Sequence, residues 1–330
     1  MGHLTGRRPF VLGLAAAASV SILPSCTHGT RPKASPQIGF MIGDGFPSLE
    51  TAFYEEMRRL GYVDGRNIEI EARKSAGPSD LRMQAAELAQ MNLDFIVVAA
   101  LPQALAVRAA NPAMPMVVGT APGLVANGFA KSLEHPDGNT TGMDELPAGL
   151  TGKRLRFLKE AAPNISRVAL LSTTPGTGGH EAQLADAELA AHEIGVTVRS
   201  YRAAAPADVD VALDAIARDR MEGLVNFQGG LSLGRRDTIV QFLEARRIPA
   251  IYQSKFFVEA GGLMSYAPDQ EEQFRMAARY ADRILRGARP GDLPILHPAR
   301  YYLTINQRAA AAIGLPLPAS LIARADFVVS

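Results

Sequence analysis

The side chains best placed for chemistry are hydrogen-bonding or small residues that directly follow predicted strands. Tyr252, Gln253 and Ser254, for example, come at the end of an apolar strand that closes at Ile251. Because the carboxyl ends of parallel strands line the ligand crevice of an open α/β sheet, residues in this position are expected to border a cleft. The sequence therefore gives a candidate ligand-binding set: Asp44, Phe46, Leu101, Gln103, Thr120, Thr173, Thr174, Gln228, Tyr252 and Gln253.

The chemistry of this set suits the binding of a small solute through hydrogen bonds. Asp44 would meet an amine, and Thr120 or Thr173 a carboxylate that the helix N-termini also favour. Tyr252, Tyr266 and Phe256 would either stack on a ligand ring or pack across the hinge. Turn formation and helix capping are the simpler explanation for any one of these residues, whereas a ligand cleft explains the set as a whole.

The sequence has no pattern typical of a catalytic or metal site. The six histidines form no i, i+4 pair and have no carboxylate at ligand spacing, and a single cysteine excludes a cysteine-based metal site. Ser172 and Ser254 lack the Gly-x-Ser-x-Gly context of a hydrolase nucleophile. His180 is expected to be a solvated residue near a helix start rather than a ligand or base. We predict no catalytic residue and no bound metal.

Nucleotide and nucleic-acid binding are also disfavoured. The pair Gly43-x-Gly45 after the first strand lacks the third glycine of a dinucleotide fingerprint, which would fall at Ser48. The loop over residues 176–179 has no Lys-Ser/Thr pair and is not a phosphate loop. A net charge of +1 over 330 residues gives no basic surface for nucleic acid. We therefore predict no cofactor and no nucleic-acid partner.

Two separate series of alternating strands and helices position these side chains. The first runs from residue 37 to about 122, and the pattern restarts after Gly142, with residues 139–141 expected to form a turn. A long amphipathic helix over 269–285 and a strand and helix over 302–313 complete the chain. The predicted fold class is α/β, with two doubly wound, Rossmann-like lobes joined by hinge strands. Lobe 1 is assigned residues 37–145 and about 267–297, and lobe 2 residues 146–266 and about 298–330.

The first 26 residues have the features of an export signal. Arg7-Arg8 precede an apolar run over residues 10–23, which is too short to span a membrane. Arg7-Arg8-x-Phe10-Val11 resembles a twin-arginine signal, with an ordinary secretory signal as the alternative. Leu23-Pro-Ser-Cys26 resembles a lipobox, in which Cys26 is acylated; a free thiol beside a conventional cleavage site is the alternative. Residues 27–36 would form a tether, so we expect a protein outside the cytoplasm whose only membrane attachment is a lipid.

Several blocks of this sequence resemble one family of bacterial proteins. They are Leu60-Gly-Tyr-Val-Asp-Gly-Arg-Asn-Ile68, Gly138-Asn-Thr-Thr-Gly142, Gly152-Lys-Arg-Leu-Arg-Phe-Leu-Lys-Glu160, Phe257-Val-Glu-Ala-Gly-Gly-Leu-Met-Ser-Tyr266 and Tyr302-Leu-Thr-Ile-Asn-Gln-Arg-Ala-Ala-Ala-Ala-Ile-Gly-Leu315. In this order they resemble the ABC-transporter substrate-binding proteins with the type I periplasmic binding protein fold. The resemblance runs from about Gln37 to the C-terminus.

This resemblance implies a binding protein rather than an enzyme. A monomer would close its two lobes over one small solute, such as an amino acid or a related metabolite, and deliver it to an ABC permease in the inner membrane. Two alternatives stay open from the sequence: an exported α/β enzyme, which the incomplete cofactor fingerprint disfavours, and a ligand-binding partner of a membrane sensor.

Overall fold

A computed structural model of the chain describes residues 35–227 and 229–330. The predicted signal peptide, Cys26, most of the tether and Gln228 lie outside the described residues. The described residues form two sheets, each covered by helices on both faces. The predicted fold class, two doubly wound α/β lobes, is confirmed. The residue bounds assigned to the lobes stay a prediction.

Lobe 1 is built on a parallel five-stranded sheet. Its first elements are β1 (Gln37–Gly43), α1 (Pro47–Arg59), β2 (Glu69–Ser75), α2 (Pro78–Gln90), β3 (Phe95–Val98), α3 (Leu101–Ala110), β4 (Met116–Ala121) and β5 (Thr140–Asp144). The strand order is β2-β1-β3-β4-β5. Helices α2 and α3 cover one face of this sheet through Leu88 and Val107, which are buried against Val98. Helix α1 covers the other face, where Phe53 stacks on Phe40 with ring centroids 4.6 Å apart.

Lobe 2 begins with a second βα series. Its elements are α4 (Leu150–Ala161), β6 (Arg167–Ser172), α5 (Gly178–Ile194), β7 (Thr197–Arg202), α6 (Pro206–Arg218), β8 (Gly223–Asn226), α7 (Gly230–Gly234), α8 (Arg236–Ala245), β9 (Ala250–Tyr252), α9 (Lys255–Glu259) and β10 (Met264–Ala267). Leu158 of α4 and Ala190 of α5 pack on one face of the sheet, and Leu213 of α6 and Leu243 of α8 pack on the other.

The chain then returns to lobe 1 before it finishes in lobe 2. Helix α10 (Gln270–Leu285) packs against α1 and β4, and its Phe274 joins the core around Phe40. The last elements are β11 (Tyr302–Asn306), α11 (Gln307–Ala312), α12 (Ala319–Ala323) and β12 (Phe327–Val329). They extend the second sheet to the order β12-β11-β10-β9-β8-β6-β7, in which β11 runs antiparallel to β10. Among the described residues, no helix is both long and apolar enough to cross a membrane.

One predicted turn is wrong, because residues 140 and 141 belong to strand β5. Thr140 and Thr141 are fully buried and pair with Met116 and Val117 of β4. β-Branched threonines suit a strand, but two polar residues followed by glycine have no apolar run to signal one. Gly142 is required there, because its φ is +139° and a Cβ atom would lie 2.1 Å from the carbonyl oxygen of Val118.

Candidate functional site

Hydroxyl and amide side chains are buried where strands of both lobes end. Thr173 and Thr174 directly follow β6, Gln253 follows β9, and Gln103 lies in the first turn of α3 after β3. Each has a buried oxygen with no hydrogen-bond partner among residues 35–227 and 229–330: the two threonine hydroxyls and the Oε1 atoms of Gln103 and Gln253. A buried polar atom left unpaired costs about 1–3 kcal/mol, so these four oxygens are suited to accept hydrogen bonds from a molecule held between the lobes.

Other residues of the predicted set have different surroundings. Leu101 is buried in the core of lobe 1, and the Tyr252 ring is stacked on Phe257 in the core of lobe 2, with centroids 4.5 Å apart. The Thr120 hydroxyl already donates a hydrogen bond to the carbonyl oxygen of Ala99 (3.2 Å). Asp44 is exposed, and its Oδ1 accepts from the amide of Gly45 (2.9 Å). These four side chains thus have core or local partners, and their place in the ligand-binding set stays a prediction.

Two amide side chains missing from the predicted set belong beside them. Asn226 is the last residue of β8 and is fully buried, and neither its Oδ1 nor its Nδ2 has a protein partner. Gln273, near the start of α10, is also buried with both amide atoms unpaired. The signal for Asn226 was an amide at the end of the apolar run Gly223-Leu-Val. Gln273 had no comparable signal, because helical polar residues usually face solvent.

His180 differs from its prediction as a solvated residue. Its side chain is fully buried, its ring lies 5.9 Å from the Phe227 ring, and Nε2 lies 3.8 Å from a carboxylate oxygen of Glu181. Neither ring nitrogen has a hydrogen-bond partner among the described residues. Burial lowers the pKa of the imidazole, with the carboxylate of Glu181 opposing this effect and Arg202 adding to it. His180 is therefore a neutral imidazole near neutral pH. It is buried because the first turn of α5 packs against the neighbouring lobe instead of facing water.

The first turn of α5 makes a close contact with the loop over residues 122–127 of lobe 1. The amide of Gly178 donates to Oδ1 of Asn127 (3.0 Å), and the Asn127 amide group donates to the carbonyl oxygens of Pro122 and Gly123. A Cβ atom at Gly178 would lie 2.1 Å from the carbonyl oxygen of Ala126. Glycine therefore allows the backbones of the two lobes to approach each other here.

An aromatic pair makes a second contact between the lobes. Phe46, at the start of α1, and Phe256, in α9, have ring centroids 6.2 Å apart, and each packs against the cores of both lobes. Beside them lies a groove of about 390 Å³, lined by residues 45–48 of lobe 1 and by Arg236, Asp237, Phe256, Glu259 and Ala260 of lobe 2. The lobes thus meet at two contacts, one at the first turn of α5 and one at the aromatic pair.

Backbone groups pair with two buried charged side chains near the crossing segments, while Nη2 of Arg154 has no hydrogen-bond partner among the described residues. Asp144, at the end of β5, accepts hydrogen bonds from the amides of Gly123 (3.0 Å), Leu124 (2.8 Å) and Leu146 (3.0 Å). Arg154 of α4 is fully buried and donates from Nε to the carbonyl oxygen of Tyr266 (2.9 Å).

Burial lowers the pKa of Arg154 to about 10, and the charges of Tyr301 and Glu145 oppose this shift. The Tyr301 hydroxyl in turn donates to the carbonyl oxygen of Glu145 (3.1 Å). The guanidinium therefore lies next to all three segments that connect the lobes, which follow β5, follow β10 and precede β11.

Comparison with known proteins agrees with this architecture. A sequence model of the family described as ABC transporter substrate binding protein matches residues 38–329. A tyrosine-binding protein of Clostridioides difficile is 22% identical over 317 residues, which cover 92% of this chain and 91% of that protein. The family resemblance found in the sequence blocks is thereby confirmed.

Two crystal structures have the same fold. A conserved domain protein of Vibrio cholerae superposes with a TM-score of 0.82 at 23% identity, covering 89% of this chain and 99% of the other. The ABC domain in complex with L-Trp from Streptococcus pneumonia also gives 0.82, at 20% identity, covering 90% and 100%.

Proposed function

Because this chain belongs to the ABC transporter substrate binding protein family, we propose that it is the extracytoplasmic solute-binding component of an ABC importer. The observation that carries the proposal is the set of buried, unpaired hydrogen-bonding atoms contributed by both lobes at their strand ends. A solute held between the lobes would pair these atoms and connect Gln103 of lobe 1 to Thr173, Asn226 and Gln253 of lobe 2. Closure over the solute would then signal occupancy to the permease.

The family and the fold suggest a small organic solute. The relatives named for tyrosine and tryptophan are a reason to include aromatic amino acids among the solutes to be tested. The lobes would rotate about three segments, near residues 145, 267 and 297, which lie close together: Nδ1 of His297 is 2.6 Å from the carbonyl oxygen of Asp144.

A thermal-shift screen of residues 35–330 against amino acids, sugars, polyols and organic acids tests the proposal. A ligand present at 100 times its dissociation constant should add about 2.7 kcal/mol to the free energy of unfolding. Thr173→Val should weaken the binding of the solute that emerges, because it removes one of the unpaired hydroxyls. Ser200→Ala is the matched control, since it removes an unpaired buried hydroxyl in the middle of β7. Equal affinities of the two variants would contradict the site.

We also propose that the chain is exported as a folded, monomeric lipoprotein. Replacing Cys26 by serine should move the protein from the membrane fraction to the soluble fraction. Replacing Arg7 and Arg8 together by lysine should block export through the twin-arginine route but leave general secretion intact. Light scattering of residues 35–330 should give the mass of one chain.

A further inference from the structure

We propose that the bound solute carries no formal charge on any of its groups and is held by hydrogen bonds to uncharged side chains. This inference rests on the proposed solute-binding function and specifies the class of solute. Hydroxylated or amide-bearing neutral molecules, such as polyols and sugars, satisfy it. α-Amino acids do not, because their ammonium and carboxylate groups each need an opposite charge or a full set of hydrogen bonds.

Five of the buried side chains with unpaired atoms lie at or near strand ends and are uncharged. Gln103, Thr173, Thr174, Asn226 and Gln253 are all more than nine-tenths buried, and all are amides or alcohols. Amides and alcohols offer both hydrogen-bond donors and acceptors, so they match the hydroxyl groups of a solute, which also donate and accept. Such a set pairs with a neutral solute without leaving an unmatched charge.

The buried carboxylates at the ends of the lobe 1 strands already have partners or charges nearby. Both oxygens of Asp144 are occupied by three backbone amides. The charge of the buried Glu145 carboxylate opposes the effect of burial on the pKa of the Arg154 guanidinium, so each of these charges lies in the field of the other. In the described ranges, neither carboxylate is left to pair with an ammonium group of a solute.

The other ionisable groups around the cleft are mostly exposed to solvent. Asp44, Asp237 and Glu259 are exposed at the outer rim, where water screens them. Arg236 lies 3.8 Å from Asp237. His180 adds a buried imidazole that offers one donor and one acceptor in its neutral form, with Nε2 3.8 Å from a carboxylate oxygen of the exposed Glu181. A charged group of a solute enclosed beside Gln103, Thr173 and Asn226 would therefore meet uncharged side chains, and burying a charge without a counter-charge is strongly unfavourable.

The experiment compares three panels of solutes by isothermal titration calorimetry and thermal shift, at low and high salt. The panels are neutral polyols and sugars, beginning with myo-inositol and D-allose; zwitterionic amino acids, beginning with L-tyrosine and L-tryptophan; and singly charged carboxylates and amines. The inference expects at least one neutral compound to bind at least tenfold tighter than any member of the other panels, with less than a twofold effect of salt.

The outcomes separate this inference from the proposed function. Preferential binding of an amino acid or a charged compound overturns the inference and leaves the solute-binding function standing. No stabilisation by any compound of the three panels counts against both.

Isosteric variants give a second, independent test with the neutral compound that binds most tightly. Asn226→Asp and Gln253→Glu each place an uncompensated carboxylate at the site and should weaken binding more than tenfold at pH 7.5. The loss should become smaller as the pH falls and the buried carboxyl is protonated. Gln84→Glu is the control: Gln84 lies on α2, its amide donates to the carbonyl oxygen of Lys74, and affinity should not change.

Circular dichroism establishes whether each variant folds. Two variants are used, so that if one misfolds the test can still be made with the other. Unchanged affinity in both folded variants overturns the inference, as does tighter binding of L-tyrosine than of the neutral compound by the unmodified protein.

Discussion

Replacing Gly178 by alanine should hinder closure of the lobes and leave the fold of each lobe intact. The added Cβ atom would lie 2.1 Å from the carbonyl oxygen of Ala126 and 2.5 Å from its carbonyl carbon. Non-bonded heavy atoms lie roughly 3.5 Å apart, so this contact has to open by more than about 1 Å. Both clashing atoms belong to the backbone of lobe 1 and cannot turn away as a side chain would. The movement must therefore separate the lobes.

The size of the effect follows from the cost of overpacking. Inserting a methyl group into a close contact costs roughly 1–3 kcal/mol, which corresponds to about 5- to 150-fold in affinity for a solute that requires closure. Gly178 is the first residue of α5 and has no positive φ, so alanine fits its backbone. Alanine favours a helix over glycine by up to about 1 kcal/mol, so the melting temperature of the solute-free protein should not fall.

The assay measures the distance between the lobes directly. Cysteines replacing the exposed residues Met83 on α2 and Val211 on α6 carry a pair of spin labels, and Cys26 is replaced by serine. With solute present, Gly178→Ala should show a longer or broader distance distribution than the unmodified protein, together with the loss of affinity. Gly234→Ala is the control, because its added methyl group meets open space. Wild-type distances and affinity in Gly178→Ala would refute the reasoning.

Three further perturbations have defined outcomes. Phe46→Ala removes the aromatic contact between the lobes and should disfavour closure by roughly 1 kcal/mol, measured with the same spin labels. Arg154→Met removes a positive charge that lies near the buried Glu145 carboxylate, and it should lower the free energy of unfolding in urea by about 3–5 kcal/mol. The control Arg156→Met, at an exposed ion pair, should change this free energy by less than about 1 kcal/mol. Hydrogen bonds from Arg59 are the main cause that holds the pKa of Glu56 at about 2, below its usual 4.5. The ionised Glu56 should therefore stabilise the fold fully above pH 4.5, and this stabilisation should be lost as the pH falls towards 2. Glu56→Gln should lower the free energy of unfolding by about 2 kcal/mol at pH 7, and denaturant titrations should show this difference shrinking over that pH range.

Periodicity was sufficient to predict most of the fold. The apolar run Phe95–Val98 is a buried strand, and the predicted stripe of α10 places Phe274, Ala277 and Ala281 in the core. Strand β5 could not be predicted in this way, because Thr140 and Thr141 become a strand only through pairing with β4. Pairing partners are distant in sequence and leave no mark on local composition.

The position of a residue at a strand end could be predicted, but the direction of its side chain could not. Thr173 and Gln253 are buried with unpaired oxygens, as a cleft position requires. Tyr252 immediately precedes Gln253, yet its ring points into the core, because successive side chains of a strand alternate between faces. His180 was predicted to be solvated because the sequence does not reveal that lobe 1 covers the first turn of α5.

The return of α10 to lobe 1 also affects how the protein is made. All five strands of that lobe have been synthesised once residue 144 is translated, but the helix that covers Phe40 and Phe53 ends at Leu285. At usual rates of translation the intervening stretch takes on the order of ten seconds, during which this aromatic surface is open to chaperones and to aggregation. Lobe 1, which is synthesised first, can therefore finish folding only after most of lobe 2 has been synthesised.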